Sequence, residues 1–158
     1  MAIYMQMGKI KGNVTAEGHK DWIELTSFQM GVGRAISTAV GKAKDREASA
    51  PSISEITVSK IMDESSPFLF QEATVGLAQK VTIDFVTTGA SKIETYLQYV
   101  LENCMVSGYS MSSGGDRPSE TVSLSFTKIT SNYIVYDDNG KQTSKFPAGY
   151  DLELGKKV

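Results

Sequence analysis

The segment TVSLSFTKI, from Thr121 to Ile129, alternates polar and apolar side chains with a period of two residues. Val122, Leu124 and Phe126 share one face of an extended chain, and the positions between them carry hydroxyl groups. Because successive side chains of a strand point to opposite faces, this pattern predicts a strand with one buried and one solvated face. A chain built from such strands folds as packed β-sheets.

The same signals recur along most of the chain. Strand patterns are found in IYMQMGKIKG near the N-terminus, DWIELTSFQMGVG from Asp21, ISEITVSKI from Ile53, KVTIDFVTT from Lys80 and NYIVYDDNGKQ from Asn132. The last segment ends in Asp138, Asn139 and Gly140, which predicts a tight hairpin turn. Several strands with frequent turn signals indicate a sandwich or a small barrel.

DWIELTSFQMGVG departs from regular alternation. Its apolar residues change face between Leu25 and Phe28. Either a bulge near Thr26 and Ser27 shifts the register, or both faces of this strand are covered.

One segment has the signals of a short helix. MDESSPFLFQEATVG, from Met62 to Gly76, carries Ser66 as a predicted N-cap, Pro67 at the first helical position and Gly76 as a predicted C-cap. These residues predict an α-helix over about Pro67–Val75.

Two structural roles are open for this helix. Its apolar residues Phe68, Leu69 and Ala73 could cover an exposed edge or mouth of a β-sandwich, or the helix could be a simple connector. In both cases the predicted fold is mainly β, a small β-barrel or sandwich of two packed sheets with one short α-helix, in a single domain over residues 1–158.

SKIETYLQYVLENCMVSGYSM, from Ser91 to Met111, has an ambiguous pattern. Ile93, Leu97, Leu101 and Cys104 fit a helical stripe, whereas a strand would carry apolar residues on both faces. The local pattern alone slightly favours a helix.

Between Arg34 and Pro51 the periodicity disappears, which predicts a long loop at about residues 34–51. Loops of this length are uncommon inside a compact domain and are usually functional or disordered. The segment is a candidate docking arm, with charges that could fix the register on a partner surface, or simply a solvated surface. The candidate interface residues are Arg34, Thr38, Lys42, Lys44, Asp45, Arg46 and Glu47.

Composition excludes several functional classes from consideration. The net charge of −2 argues against a nucleic-acid or anionic-lipid surface, and no apolar run approaches the ~18 residues needed for membrane insertion. The N-terminus lacks the pattern of a conventional signal peptide, so we expect synthesis and folding in a reducing cytoplasm.

The residues that could support catalysis are few. His19 is the only histidine and is expected in an exposed turn, where Glu17, His19 and Asp21 would make a poor metal site. Cys104 is expected to be an inert core thiol, and GVGR at Gly31 lacks the residues of a phosphate-binding loop. We therefore expect no enzyme activity, no metal and no cofactor.

ISEITVSKIMDESSPFLFQEATVG resembles the signature of the Hcp family, the tube protein of the bacterial type VI secretion system. The matching residues are Ile53, Ser54, Thr57, Val58 and Lys60, followed by Asp63, Ser66, Pro67, Leu69 and Phe70. GNVTAEGHKDWIELTSFQMGVGR and the C-terminal AGYDLELGKKV are also similar to the family pattern, whereas residues 34–51 match it least.

The resemblance implies a β-barrel of two sheets with one helix at its side, and a strand rather than a helix at Ile93–Met111. It further implies a homohexameric ring, rings stacked into a hollow tube, and a spike protein, a contractile sheath and effector cargo as partners. The protein would be made in the bacterial cytoplasm and secreted without a signal peptide. The alternatives are a monomeric β-barrel that binds a small ligand, and a hydrolase using His19.

Overall fold

The computed structural model describes residues 1–41 and 46–158. It contains one helix and 14 strands within these residues. The strands are β1 Ala2–Met7, β2 Ile23–Leu25, β3 Ser27–Gln29, β4 Val32–Gly33, β5 Ile36–Thr38, β6 Arg46–Ala48, β7 Ser52–Ile53, β8 Ile56–Ile61, β9 Gln79–Thr88, β10 Ile93–Ser112, β11 Ser119–Ser125, β12 Lys128–Tyr136, β13 Gln142–Asp151 and β14 Lys156–Lys157, and the helix is α1 Ser66–Val75.

Two antiparallel sheets make up the body of the molecule, as predicted. The first has the order β14-β13-β12-β10-β9-β1-β2, and the second has the order β10-β11-β8-β3. The strand β10 belongs to both, because its first part pairs with β9 and β12 and its last part pairs with β11. The fold class predicted from the sequence, mainly β with one short helix, is confirmed.

Alternating residues of both sheets fill the space between them. The completely buried side chains include Met5, Ile23, Val58, Ile83 and Leu124. Burial of each such side chain contributes roughly 1.5–3 kcal/mol, so this shared core is the main source of stability.

The chain passes from one sheet to the other at the predicted irregularity. Leu25 pairs with β1 in the first sheet, while Ser27 pairs with Ser59 of β8 in the second. Between them, the amide of Thr26 donates a hydrogen bond of 2.7 Å to the carbonyl of Ser59. The change of face in the sequence therefore marks a corner between two sheets.

The local sequence pattern from Ser91 to Met111 favoured a helix, and this prediction is wrong because the segment forms the strand β10. It is a strand of 20 residues, as the family resemblance implied. Its pairing shifts register between Thr95 and Leu97 and again between Leu101 and Cys104, where Asn103 has a φ of 52°. Each bulge inserts one extra residue. The second bulge places the buried Leu101 and Cys104 three residues apart, a spacing that imitates a helical stripe.

The helix begins one residue earlier than predicted. Its N-cap is Ser65, not Ser66, while Pro67 lies in the first turn and Gly76 is the C-cap as predicted. Gly76 is extended, and a Cβ there would lie 2.5 Å from the carbonyl oxygen of Glu72. A side chain at this position would therefore collide with the last helical turn.

The helix packs one apolar residue into the core. Leu69 is completely buried, whereas the expected partner Phe68 is 54% exposed. α1 contacts β10, and Leu69 belongs to the core cluster. Phe68 remains on the surface.

A buried polar cluster fixes the start of α1. Lys60 has no exposed surface, and its Nζ donates to Asp63 Oδ1 at 3.0 Å and to Glu120 Oε1 at 3.4 Å. The Oδ1 of Asp63 accepts the amide of Ser65 at 2.8 Å, and Ser66 Oγ donates to Glu120. Side chains from β8, β11 and α1 thus meet in one hydrogen-bonded unit.

The predicted loop at 34–51 contains secondary structure of its own. β5 pairs with β6 through Ile36–Ala48 and Thr38–Arg46, and β4 pairs with β7 at its base. We call residues 31–51 the arm. Local strand pairing satisfies its backbone, so the segment is a narrow β-ribbon over the residues that the structure describes, rather than a structureless loop.

Candidate functional site

The arm is exposed along its whole described length. Every described residue from Gly31 to Ala50 is exposed to solvent. Ser49 Oγ accepts the amide of Ala35 at 3.0 Å, and Arg46 Nε donates to Thr38 Oγ1 at 3.2 Å. These bonds join the two sides of the ribbon to each other, so the arm has an ordered shape without support from the core.

Alternation divides the arm into two faces. Ile36, Thr38, Arg46 and Ala48 share one face, because Ile36 pairs with Ala48 and Thr38 pairs with Arg46. Glu47 lies on the opposite face. Four of the predicted interface residues, Arg34, Thr38, Arg46 and Glu47, are therefore on this ribbon, whereas Lys42, Lys44 and Asp45 lie outside the described residues.

The second sheet has two incomplete edges within the described residues. β3 pairs only with β8, and the Met105–Ser112 part of β10 pairs only with β11. Edge strands present unpaired amide and carbonyl groups that can accept another strand. These edges and the arm are surfaces through which copies of the chain could associate.

Apolar side chains are exposed on the hairpin of β12 and β13. Tyr133 and Phe146 are directly paired and are 50% and 61% exposed. Nearby, an open cleft of about 310 Å³ lies between this hairpin and the base of the arm, lined mainly by apolar residues such as Met30, Ile53 and Tyr150. The space between the two sheets is filled by core side chains.

His19 is not in an exposed turn, which corrects the sequence prediction. It is 6% exposed, and its Nε2 lies 2.8 Å from Oδ2 of Asp84. Its ring packs against Tyr4 and Trp22 at centroid distances of 5.2 and 4.7 Å. The Oδ1 of Asp84 is occupied by Gln98 at 2.8 Å. This pair attaches the segment before β2 to the outer face of β9, which is a structural role.

The sequence did not identify Asp84 as a partner of His19. Asp84 lies between Ile83 and Phe85 in β9, so its side chain is on the face of the strand opposite the core. Such a position normally holds a solvated polar residue, and Asp84 is only 5% exposed. The pairing with His19 depends on residues 65 positions apart in the chain, so no local pattern could reveal it.

Cys104 is buried, as expected. Burial raises the pKa of its thiol to about 12, so the thiol is protonated at neutral pH and is a poor nucleophile. Among residues 1–41 and 46–158, no group of three or more His, Cys, Asp or Glu side chains is arranged to hold a metal ion. The helix in the described part of the chain is too short to cross a membrane.

Comparison with known proteins identifies relatives along nearly the whole chain. Residues 4–133 match the family described as type VI secretion system effector, Hcp. A solved structure of a type six secretion system protein is 30% identical, with a TM-score of 0.89 and coverage of 99% of both chains. No curated protein sequence matched the chain.

More distant structures have the same fold. Hcp1 from Salmonella typhimurium is 24% identical, with a TM-score of 0.77 and coverage of 99% of this chain and 98% of that one. Hcp3 from Pseudomonas aeruginosa is 21% identical, with a TM-score of 0.58 and coverage of 94% and 98%. The sequence match covers most of the barrel together with α1 and the arm, and we conclude that the chain belongs to the Hcp family of type VI secretion system proteins.

Proposed function

We propose that this chain is the repeating subunit of a type VI secretion tube. Six copies close into a ring, rings stack into a hollow tube, and the tube is exported from the bacterial cytoplasm with effector cargo in its lumen. A spike protein and a contractile sheath are the other partners. Family membership supports this proposal, and a structural function requires no active site.

The observation that carries the proposal is the arm. An ordered ribbon costs conformational entropy, and in a single chain this arm buries no described residue from Gly31 to Ala50 in return. The cost is offset if a second copy covers the ribbon. Together with the incomplete edges of the second sheet, the arm favours repeated association of identical subunits.

The two contact types are separable in this proposal. Contacts within a ring are heterologous and close on themselves, and each should bury upwards of ~1,000 Å² for a stable ring. Contacts between rings use the arm, with Arg34, Thr38, Lys42, Lys44, Asp45, Arg46 and Glu47 as the candidate residues. Stacking and ring closure should therefore respond differently to changes in the arm.

Deletion of Thr38–Glu47 tests this separation. We expect hexamers of unchanged mass by native mass spectrometry, but loss of stacked rings in negative-stain images and loss of secretion. A Gly/Ser segment of equal length in the same place should have the same effect, because it restores length without the contact residues. Unchanged tubes and export after the deletion would refute the assignment of the arm.

A further inference from the structure

A groove of about 660 Å³ lies between α1 and the turn that follows β1. One wall is formed by Phe68 and Glu72, which are four residues apart and therefore lie on the same side of the helix. The other wall is formed by the turn residues Lys9, Ile10 and Lys11. A volume of this size is typical of sites that bind small molecules.

Both walls of the groove are held by the rest of the fold. In the turn, the amide of Ile10 donates a hydrogen bond of 3.0 Å to the carbonyl of Met7. Gly8 has a φ of 53°, a left-handed conformation that favours glycine, and the side chain of Gln79 lies against it. On the opposite side, the buried Leu69 fixes α1 to the core. The groove is therefore preformed, as small-molecule sites usually are.

The charge of the groove is unbalanced. Lys9 and Lys11 are both exposed, and neither forms an ion pair with another residue in the described part of the chain. Among the described lining residues, Glu72 is the one acid. Its carboxylate lies back along the helix, where a Cβ at Gly76 would contact Oε2. Two ammonium groups at the groove are therefore available to an anion.

Apolar surface lies beside these charges. Phe68 is 54% exposed and lines the groove together with Ile10. The aliphatic stems of Lys9 and Lys11 can extend this apolar surface while their ammonium groups stay in water. Gln79 supplies the one neutral polar side chain among the described lining residues. Such walls suit a hydrocarbon chain better than a peptide, because the amide and carbonyl groups of a peptide need partners when they are buried.

We propose that this groove binds a small anionic amphiphile, an acyl chain that ends in a carboxylate. The carboxylate pairs with Lys9 and Lys11, and the chain packs on Phe68 and Ile10. Glu72 repels the carboxylate and so directs it to the lysines on the opposite wall. All of these residues belong to one chain, so this inference goes beyond the proposed function and does not depend on ring formation.

Isothermal titration calorimetry with decanoate tests the proposed ligand class. We expect saturable binding of decanoate to the unmodified chain. Decyltrimethylammonium has a hydrocarbon chain of the same length and the opposite charge, and it should not bind, because the lysines repel it. An unmodified chain that does not bind decanoate, or that binds both compounds equally, would overturn the proposal.

Two variants test the position of the site. Lys9→Gln/Lys11→Gln should weaken decanoate binding by roughly tenfold, because two charge contacts are lost. Phe68→Ala should weaken it by about fivefold or more, because the hydrocarbon chain loses its largest apolar contact.

Lys156→Gln/Lys157→Gln is the matched control for the loss of two positive charges. Both lysines are exposed on β14, outside the groove, and this variant should bind decanoate as tightly as the unmodified chain does. Equal weakening by the two pairs of lysine substitutions, or unchanged binding in Phe68→Ala, would overturn the assignment of the ligand to this groove.

Discussion

Lys60 has no contact with solvent and donates hydrogen bonds to Asp63, Ser66 and Glu120. These partners lie before α1, in α1 and in β11, respectively. In the sequence, Lys60 lies on the same strand face as Ile56 and Val58, so alternation predicts that its side chain points inward. A charged lysine, by contrast, is normally exposed to solvent. Burial is possible because two carboxylates meet its ammonium group. The partner Glu120 is separated from it by 60 residues, so its role could not be deduced from local sequence.

Replacing Lys60 should destabilise the fold strongly. Lys60→Met removes the charge that the buried carboxylates of Glu120 and Asp63 face, and we expect a loss of roughly 3–5 kcal/mol in the free energy of unfolding. Urea denaturation measures this loss. Lys80→Met, at an exposed position of β9, is the matched control and should stay within about 0.5 kcal/mol of the parent. Similar values for the two variants would show that the cluster contributes little.

Cys104 should cause part of the loss of stability at alkaline pH. Its pKa is raised from 9.0 to about 12 by burial, so the folded chain holds this proton more tightly than the unfolded chain. The contribution is complete below pH 9 and is lost as the pH rises toward 12. Denaturation at a series of pH values should therefore show a weaker alkaline decline for Cys104→Val. Parallel curves for the two proteins would contradict this expectation.

At the scale of elements, the sequence identified most strands, the turn near Gly140 and the existence and C-terminal end of α1. It failed where the regular period is broken by tertiary structure. The bulges near Thr95 and Asn103 turned β10 into an apparent helix, and the arm has no apolar face that would indicate its strands. The candidate arm was located by length and charge, but its internal strand pairing was not predictable.

The two neighbouring apolar residues of α1 should have very different effects. Leu69→Ala creates a cavity in the core and should cost roughly 2–5 kcal/mol of folding stability, whereas Phe68→Ala should change it little because Phe68 is half exposed. Thermal and urea denaturation of the isolated chains would measure both. A large loss of stability for Phe68→Ala would mean that the helix packs differently.

The whole molecule combines two well-packed sheets with exposed features that a single copy does not use. The arm, the edges of the second sheet and the apolar hairpin at Tyr133 and Phe146 are all available for association. Stability and assembly should therefore be linked, because partners that bind only the folded chain shift the folding equilibrium.

The melting temperature should depend on protein concentration. If rings form, a hundredfold increase in concentration should raise Tm by about several degrees, since association stabilises only the folded state. Differential scanning calorimetry across that range would measure the shift. A chain whose Tm is independent of concentration, with a monomer mass throughout, would contradict assembly through these surfaces.

β10 gives the barrel a mechanical property. Because the continuous strand β10 pairs in both sheets, we expect the two sheets to unfold together. Trp22 fluorescence, which reports the first sheet, and far-UV circular dichroism of the whole chain should therefore show a single coincident transition. In the proposed tube, each subunit would therefore respond to force as one block.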